Sequence, residues 1–307
     1  MSLARLPFAL LLLLVPFALR SARAQEGRVE GAPANEGVEV TYLANAGFQL
    51  RAGHYSVLID AFVRDPVSSY DALTPEAHKE IVAAKPPFDG VTAVLVSHNH
   101  ADHVQLRSLE RYLRANPEAI LMTSQQVARA LKESAQDFAS IQRQVNPVRA
   151  VPGTPSRLEQ EEVAIEFLVL GHAGNQKEEI VNYGHLIEMG GLRILHVGDA
   201  DPSAANFAAY HLAEKAIDVA IVPYWFLGSP EALRTLREEI HPGKVIACHV
   251  PPSELEKVRE RVERDLPGVI LFQKAFESRT FPPPVGADGD LPAGGEGTPE
   301  GTKAKGG

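Results

Sequence analysis

The chain has 307 residues, of which 22% are charged and 45% are hydrophobic. These values are typical of a soluble globular protein and exclude collagen-like, coiled-coil and wholly disordered chains. The formal net charge of −9 argues against nucleic acid or anionic lipid as a partner, since proteins that bind these carry broad basic surfaces. Nucleic acid is therefore a poor candidate partner. The single cysteine, Cys248, cannot form an internal disulfide.

The first 24 residues have the three-part pattern of a secretory signal peptide. Arg5 precedes an apolar run over 6–19, and Ala22-Arg23-Ala24 follows it. The run has 14 residues, whereas a membrane-spanning helix needs roughly 20, so an uncleaved anchor is the weaker alternative. The pattern predicts cleavage near Ala24, a periplasmic or secreted protein and no stable membrane span.

Composition divides the rest of the chain into three parts. Residues 25–37 are polar and small and predict a flexible lead-in. Residues 282–307 contain 8 Gly and 5 Pro and predict a disordered tail. Between them, 38–281 has neither a repeat nor a linker and is expected to form one catalytic domain.

Strand and helix patterns alternate through this domain. Short alternating runs separated by Gly47 and Gly53 predict an antiparallel meander at its start, and the apolar run 91–96 predicts a strand buried on both faces. Strands are predicted at 38–43, 48–51, 55–59, 91–96, 119–122, 163–170, 181–188, 192–197, 219–222, 244–248 and 269–272, and helices at 75–84, 106–115, 124–133, 230–240 and 254–265. The order indicates an α/β fold of two mixed sheets with helices outside them.

A cluster of metal-binding residue types follows the strand predicted at 91–96. It reads Ser97-His98-Asn99-His100-Ala101-Asp102-His103 and places three imidazoles and a carboxylate within six residues. Imidazole nitrogen and carboxylate oxygen suit zinc. In an extended loop His98 and His100 project the same way, while Asp102 and His103 can turn toward a neighbouring ion. The spacing therefore allows two metals.

Three more candidate ligands follow other predicted strands. His172 lies just after 163–170, Asp199 after 192–197 and His249 after 244–248. Loops at strand ends carry functional groups over a rigid scaffold, so these side chains are expected to join the cluster.

The ordered set of His98, His100, Asp102, His103, His172, Asp199 and His249 resembles the metallo-β-lactamase superfamily of metal-dependent hydrolases. Residues upstream of this set also match the family's opening strands and first aspartate. They are Val40-Thr41-Tyr42-Leu43, Gly47-Phe48 and Val57-Leu58-Ile59-Asp60. The resemblance covers about 38–273, and a lactonase-like branch is one alternative within it.

The resemblance implies a four-layer αββα sandwich with two divalent metals, zinc foremost, at one edge of the sheets. By position, His98, His100 and His172 would hold the first metal and Asp102, His103 and His249 the second, with Asp199 bridging them. Asp60 would orient ligands from behind.

The resemblance also implies the chemistry. Two zinc ions lower the pKa of water from 15.7 to about 7 or below, so that a shared hydroxide can act as nucleophile. Asp102 or Asp199 would take or relay a proton. The expected activity is hydrolysis of a small-molecule substrate that is a lactone, ester, amide or phosphodiester.

Several residues compete for roles in the site. His185 is an alternative to His172 but lies inside a predicted strand, which favours packing near the site and allows a role in orienting ligands. Cys248 alternates with His249 along a strand and is expected to face the interior. Tyr224, Trp225 and Phe226 either wall the substrate pocket or pack beneath a helix.

Two other functions fit the same residues. Iron in place of zinc would give a redox enzyme on the same fold. A binding module without catalysis would keep its metals for stability alone.

Overall fold

The computed structural model describes residues 37–174 and 180–283. The predicted signal peptide (1–24), the lead-in up to residue 36 and the tail from residue 284 lie outside the described residues, and they stay predictions.

The first sheet is mixed and has seven strands, six from the first half of the described chain and one, β14, from its end. Its strand order is β14-β1-β2-β3-β4-β5-β6, with antiparallel pairs from β14 to β3 and parallel pairs from β3 to β6. The strands are β1 Val38–Ala44, β2 Gly47–Ala52, β3 Tyr55–Ile59, β4 Ala93–Val96, β5 Ile120–Ser124, β6 Val145–Val148 and β14 Ser278–Phe281.

The second half forms another seven-stranded mixed sheet with the same pattern. Its order is β13-β12-β11-β10-β9-β8-β7, antiparallel from β7 to β10 and parallel from β10 to β13. The strands are β7 Ser156–Gln160, β8 Val163–Leu170, β9 Asn182–Met189, β10 Leu192–His196, β11 Val219–Pro223, β12 Lys244–Cys248 and β13 Val269–Leu271.

Helices lie on the outer face of each sheet, where local sequence signals set their bounds. Thr74 and Ser229 cap their helices with side-chain oxygens, and a proline follows each of them in the first turn, where its missing N–H costs nothing. The helices are α1 Pro75–Val82, α2 Leu106–Ala115, α3 Gln125–Ser134, α4 Phe138–Ile141, α5 Ala204–Phe207, α6 Pro230–Thr235 and α7 Leu255–Asp265.

Three apolar clusters separate the four layers. Alternate residues of β4 show why: Ala93 and Leu95 face the core between the sheets, whereas Val94 and Val96 face the helices over the first sheet. A third cluster lies between the second sheet and its helices. The predicted αββα sandwich of two mixed sheets is thus confirmed.

The differences from the predicted elements are local. Five of these strands and helices were not predicted: β6, β7, β14, α4 and α5. β7 has only half-buried and exposed residues, and β6 contains Pro147, so neither shows the apolar pattern of a buried strand. The helix predicted at 230–240 continues past α6 as a π-helical segment, Leu236–Ile240. No helix in the described part of the chain is long and apolar enough to cross a membrane.

Candidate metal centre

The loop after β4 carries the first four candidate ligands. Backbone N–H groups of His103 and Val104 both donate to the carbonyl oxygen of His100, which closes the loop into a tight turn. His98 and His103 are fully buried, whereas His100 and Asp102 are half-buried at the edge of a cleft. The turn therefore presents four candidate ligands from one short segment.

The other three candidates reach the same place from the second sheet. His172 follows β8, Asp199 follows β10 and His249 follows β12. The loops after β8 and β10 are paired, since Ala173 N–H donates to Asp199 O at 2.7 Å and Asp201 N–H to Gly171 O at 2.8 Å.

The structure brings all seven predicted ligands together in two groups. One atom from each of His98, His100, His172 and Asp199 lies within 4.8 Å of the others, and the same holds for Asp102, His103 and His249. Asp199 also reaches the second group, with Oδ1 3.1 Å from His103 Nε2 and Oδ2 3.4 Å from His249 Nε2. Asp199 therefore lies within reach of both groups of candidate ligands.

The ligand atoms are spaced as they would be around metal ions. His98 Nε2 is 3.0 Å from His100 Nδ1 and 3.2 Å from His172 Nε2, and His249 Nε2 is 3.1 Å from His103 Nε2. Zinc–nitrogen bonds of 2.0–2.1 Å in a tetrahedron separate two ligands by about 3.3 Å.

Each imidazole has one nitrogen that faces away from the centre. The hydrogen bond at that nitrogen determines whether the other nitrogen faces the centre with a proton or with a lone pair. His172 Nδ1 donates to Ala173 O at 2.6 Å. Ser97 Oγ donates to Asp60 at 2.6 Å and so accepts from His98 Nδ1 at 3.0 Å. Both Nε2 atoms are then unprotonated in the neutral rings, and their lone pairs point at each other. A cation between them relieves this repulsion, so the residues fit a metal.

Asp60 orients the second group from behind. Its carboxylate accepts from Ser97 N at 2.8 Å and from His103 Nδ1 at 2.8 Å. Burial raises the pKa of Asp60, but the hydrogen bond and charge of His103 outweigh burial and hold the pKa below its usual value. An ionised Asp60 keeps the Nδ1 proton on His103 and turns Nε2 toward the centre.

Charges inside the centre are strongly coupled. Burial raises the pKa of Asp199, but the imidazoles, His103 foremost, hold it well below its usual range. Burial and the charge of His103 hold the pKa of His98 well below its usual value. Burial also lowers the pKa of His103, yet Asp199 and Asp60 raise it well above its usual value. A proton and a metal ion compete for the same lone pair on His103.

Two asparagines that the sequence analysis missed hold the ligand loops. Asn182 is fully buried at the start of β9. It donates to Val197 O at 3.1 Å and accepts from Asp199 N at 3.0 Å. The side-chain amide of Asn45 donates to the backbone oxygen of Asp102 at 2.9 Å, and the backbone oxygen of Asn45 accepts from His249 N at 3.1 Å. Nothing in the sequence distinguishes Asn182, because the strand that it opens also contains the polar residues His185 and Glu188.

Gly198 shows how closely Asn182 approaches the Asp199 loop. Gly198 has a φ of +57°, and a Cβ there would lie 2.2 Å from Asn182 Oδ1 and 2.9 Å from Ser97 Cβ. Only glycine fits both this backbone conformation and this contact.

The centre opens into a cleft of about 360 Å³. Besides the candidate ligands, the cleft is lined by Val67, Ser68, Tyr70, Ala173, Gly174 and Trp225. Tyr70 meets the ring of His249 edge-on at a centroid distance of 4.1 Å, and Trp225 does so at 5.2 Å. Burial raises the pKa of Tyr70 to about 12, so its phenol stays protonated at neutral pH. Tyr70 was not among the predicted site residues.

The predicted aromatic wall is only partly correct. The helical turn Tyr224–Leu227 directs neighbouring side chains to different sides, and Trp225 alone lines the cleft. Phe226 is fully buried against Phe207 in the core beneath the second sheet, and the prediction that it lines the pocket is wrong. Tyr224 contacts Trp225 edge-on but does not line the cleft.

His185 does not orient any ligand. It lies in the core between the sheets, with its ring against Phe167 and His196, and neither ring nitrogen has a hydrogen-bond partner. Burial, followed by the charge of His196, lowers the pKa of His185 to about 3. The contacts contradict the predicted role in the site, because strand pairing points this side chain into the core. Cys248 is likewise buried in this core, as its alternation with His249 predicted.

Comparison with known proteins decides the family. A model described as the beta-lactamase superfamily domain matches residues 55–265, more than half of the chain. The chain belongs to this superfamily. The family predicted from the sequence, metal-dependent hydrolases of the metallo-β-lactamase superfamily, is thereby confirmed.

Individual relatives are distant. A UPF0173 metal-dependent hydrolase of Aeropyrum pernix is 26% identical over 253 residues, which are 79% of this chain and 97% of that protein. The structure of Igni18, a metallo hydrolase of Ignicoccus hospitalis, aligns with a TM-score of 0.56 at 20% identity and covers 80% of this chain and 98% of its own. CmlA of Streptomyces venezuelae, a diiron β-hydroxylase, aligns with a TM-score of 0.51 at 15% identity over 82% of this chain and 55% of its own.

Removing the Asn182 side chain should loosen the metal centre. In Asn182→Ala the Asp199 N–H and two strand-end carbonyls lose their partner, and loss of such an outer contact typically costs 10-fold to 100-fold in metal affinity. Competition with a chelator measures the affinity, and Asn146→Ala, at an exposed position of β6, is the matched control. Equal affinity in both variants would show that Asn182 does not hold the loops.

Replacing His185 with leucine should stabilise the fold without changing the metal content. The change removes an unpaired buried imidazole, whose burial costs about 1–3 kcal/mol. In the folded protein His185 stays neutral at a pH where the unfolded chain binds a proton. The parent therefore loses folding stability as pH falls below about 6.5, whereas the variant, which lacks this imidazole, loses less. Urea unfolding at pH 5 and pH 7.5 measures both effects.

His196→Leu is the matched control for this prediction. His196 donates to Ala46 O at 3.0 Å and accepts from Gly198 N at 3.2 Å, so its replacement should destabilise the protein. If the His185→Leu variant is destabilised or loses metal, the conclusion that His185 has no role at the metal centre is contradicted.

Proposed function

We propose that this protein is an exported hydrolase that uses two divalent metal ions, zinc foremost, to cleave a small lactone, ester, amide or phosphodiester. The observation that carries the proposal is the pair of ligand triads joined by Asp199. Membership of the beta-lactamase superfamily supports it.

The donor set favours zinc. The candidate ligands are five imidazoles and two carboxylates, a mixture that zinc accepts readily. Burial raises the pKa of the Cys248 thiol well above its usual value, so a thiolate does not compete for the metal. Iron accepts the same donors, and CmlA is a diiron protein of this fold. Elemental analysis therefore belongs in any test of the metal.

The metals and the protein side chains would contribute different parts of the hydrolytic chemistry. Bound divalent ions would lower the pKa of water toward 7 and polarise a carbonyl or phosphoryl oxygen. The chain itself places the half-buried Asp102 carboxylate at the cleft wall, with Oδ2 3.2 Å from His249 Nε2. This carboxylate can accept a proton and pass it to a leaving group. Asp199 is more deeply buried, and its stable negative charge serves to hold metals.

The cleft supports a small substrate. Its volume of about 360 Å³ is at the lower end of the range for small-molecule pockets. Trp225, Tyr70 and Val67 give it apolar walls beside the polar metal centre. Such walls suit an uncharged acyl or aromatic group next to the bond that is cleaved.

The purified protein should contain about two metal ions per chain and hydrolyse at least one substrate in a panel of lactones, esters, amides and phosphodiesters. Asp199→Ala removes the carboxylate shared by the two triads and should abolish hydrolysis and reduce the metal content to one ion or none. Mass spectrometry of the metals and the panel are run on the same samples.

Asp201→Ala provides the matched control. Asp201 lies two residues away on the same loop, where its carboxylate accepts from Ser203 N at 3.0 Å and contacts no candidate ligand. It should keep both metals and full activity. Hydrolysis by a metal-free Asp199→Ala protein would contradict the proposal, and iron with oxygen consumption would favour the redox alternative.

Export rests on the N-terminal pattern, and the protein is expected in the periplasm or the medium. Mass spectrometry of protein from a Gram-negative host should identify a mature N-terminus at Gln25, since Ala22 and Ala24 occupy the small-residue cleavage positions. Replacing Ala22 and Ala24 with arginine should leave the precursor uncut. An intact N-terminus in cytoplasmic protein would contradict export while leaving the proposed chemistry untouched.

A further inference from the structure

A second concave surface lies along the exposed side of α2. It is a groove of about 740 Å³, larger than the metal cleft and within the size range of small-molecule sites. Side chains from α2, from the segment before α1 and from the metal loop line it. No predicted site residue lines this groove.

Three arginines form a stripe along the groove. Arg107, Arg111 and Arg114 are spaced i, i+4 and i+7 on α2, so all three lie on one face over about 10 Å of helix. All three are exposed, and among the described residues none of them forms an ion pair. Their guanidinium groups are available to a ligand.

The acidic groups of the groove are already engaged. Asp65 pairs with Arg64 through bonds of 2.7–3.0 Å. Glu110 is buried, and its carboxylate accepts from the backbone N–H groups of Gln136 at 3.0 Å and Asp137 at 2.9 Å. The stripe therefore gives the groove a positive charge in a chain whose net charge is −9. Charge complementarity points to an anionic occupant.

The metal loop forms a wall between the groove and the cleft. His100 and Asp102 line the cleft, whereas Asn99 and Ala101, which alternate with them, line the groove. A ligand in the groove thus contacts the back of the loop and does not meet the metals. It is not the molecule that the metals hydrolyse.

We propose that this groove binds a small ligand with several anionic groups, such as carboxylates, sulfates or phosphates, at a site separate from the metal cleft. Arginine donates two parallel hydrogen bonds to each such group, and three arginines one or two turns apart match anionic groups spaced over about 10 Å. The concave shape favours a compact polyanion over an extended chain.

Titration calorimetry of the metal-loaded protein with sucrose octasulfate, a polyanion that chelates zinc weakly, tests the site. The variant Arg107→Gln/Arg111→Gln/Arg114→Gln should bind the probe at least about tenfold more weakly than the parent, because each charge-assisted contact contributes appreciably to affinity. Raising the salt concentration should weaken binding to the parent far more than to this variant.

A second triple variant controls for net charge. Arg129→Gln/Arg143→Gln/Arg237→Gln removes the same number of charges from exposed positions outside the groove and should bind like the parent, within about twofold. Substitutions at such exposed positions change stability by only about 0.5 kcal/mol, so all three proteins fold. The proposal is overturned if the parent does not bind, if both triple variants bind equally, or if the groove variant binds like the parent.

Discussion

The candidate metal centre depends on imidazole nitrogens whose close approach becomes favourable only when a cation lies between them. His98 and His172 present unprotonated Nε2 atoms to each other at 3.2 Å, because Ser97 and Ala173 O bind the opposite side of each ring. Asp199 supplies a negative charge beside them that their environment keeps ionised. This geometry is unfavourable for the protein alone and favourable around a metal, so the centre links folding to metal binding.

The two sheets explain how distant residues meet. Each sheet changes from antiparallel to parallel pairing, and loops leaving strand ends gather at one edge of the sandwich. The first sheet contributes the compact loop after β4, and the second contributes the loops after β8, β10 and β12. Asn182 and Asn45 then join backbone atoms of separate loops, which fixes the ligands more firmly than each loop could alone.

Strong local patterns made most of this predictable. The apolar run into β4 and the histidine-rich turn after it identified both a buried strand and the candidate ligands that follow it, and β8 and β12 matched their predicted ranges. The roles of residues outside the histidine-rich turn and the strand ends could not be predicted from the sequence. A single asparagine such as Asn182 gives no periodic signal, and the side of the chain to which Phe226 or His185 points was decided by a helical turn and by strand pairing.

X-ray absorption at the metal edge of the loaded protein tests the central claim most directly, because it reports both the ligands and the neighbouring ion. The seven candidate nitrogen and oxygen ligands, in two groups that Asp199 joins, predict light-atom scatterers at about 2.0–2.2 Å and a second metal at about 3.5–4 Å. A sulfur scatterer at about 2.3 Å, or a fully loaded centre with no second metal, would contradict the account.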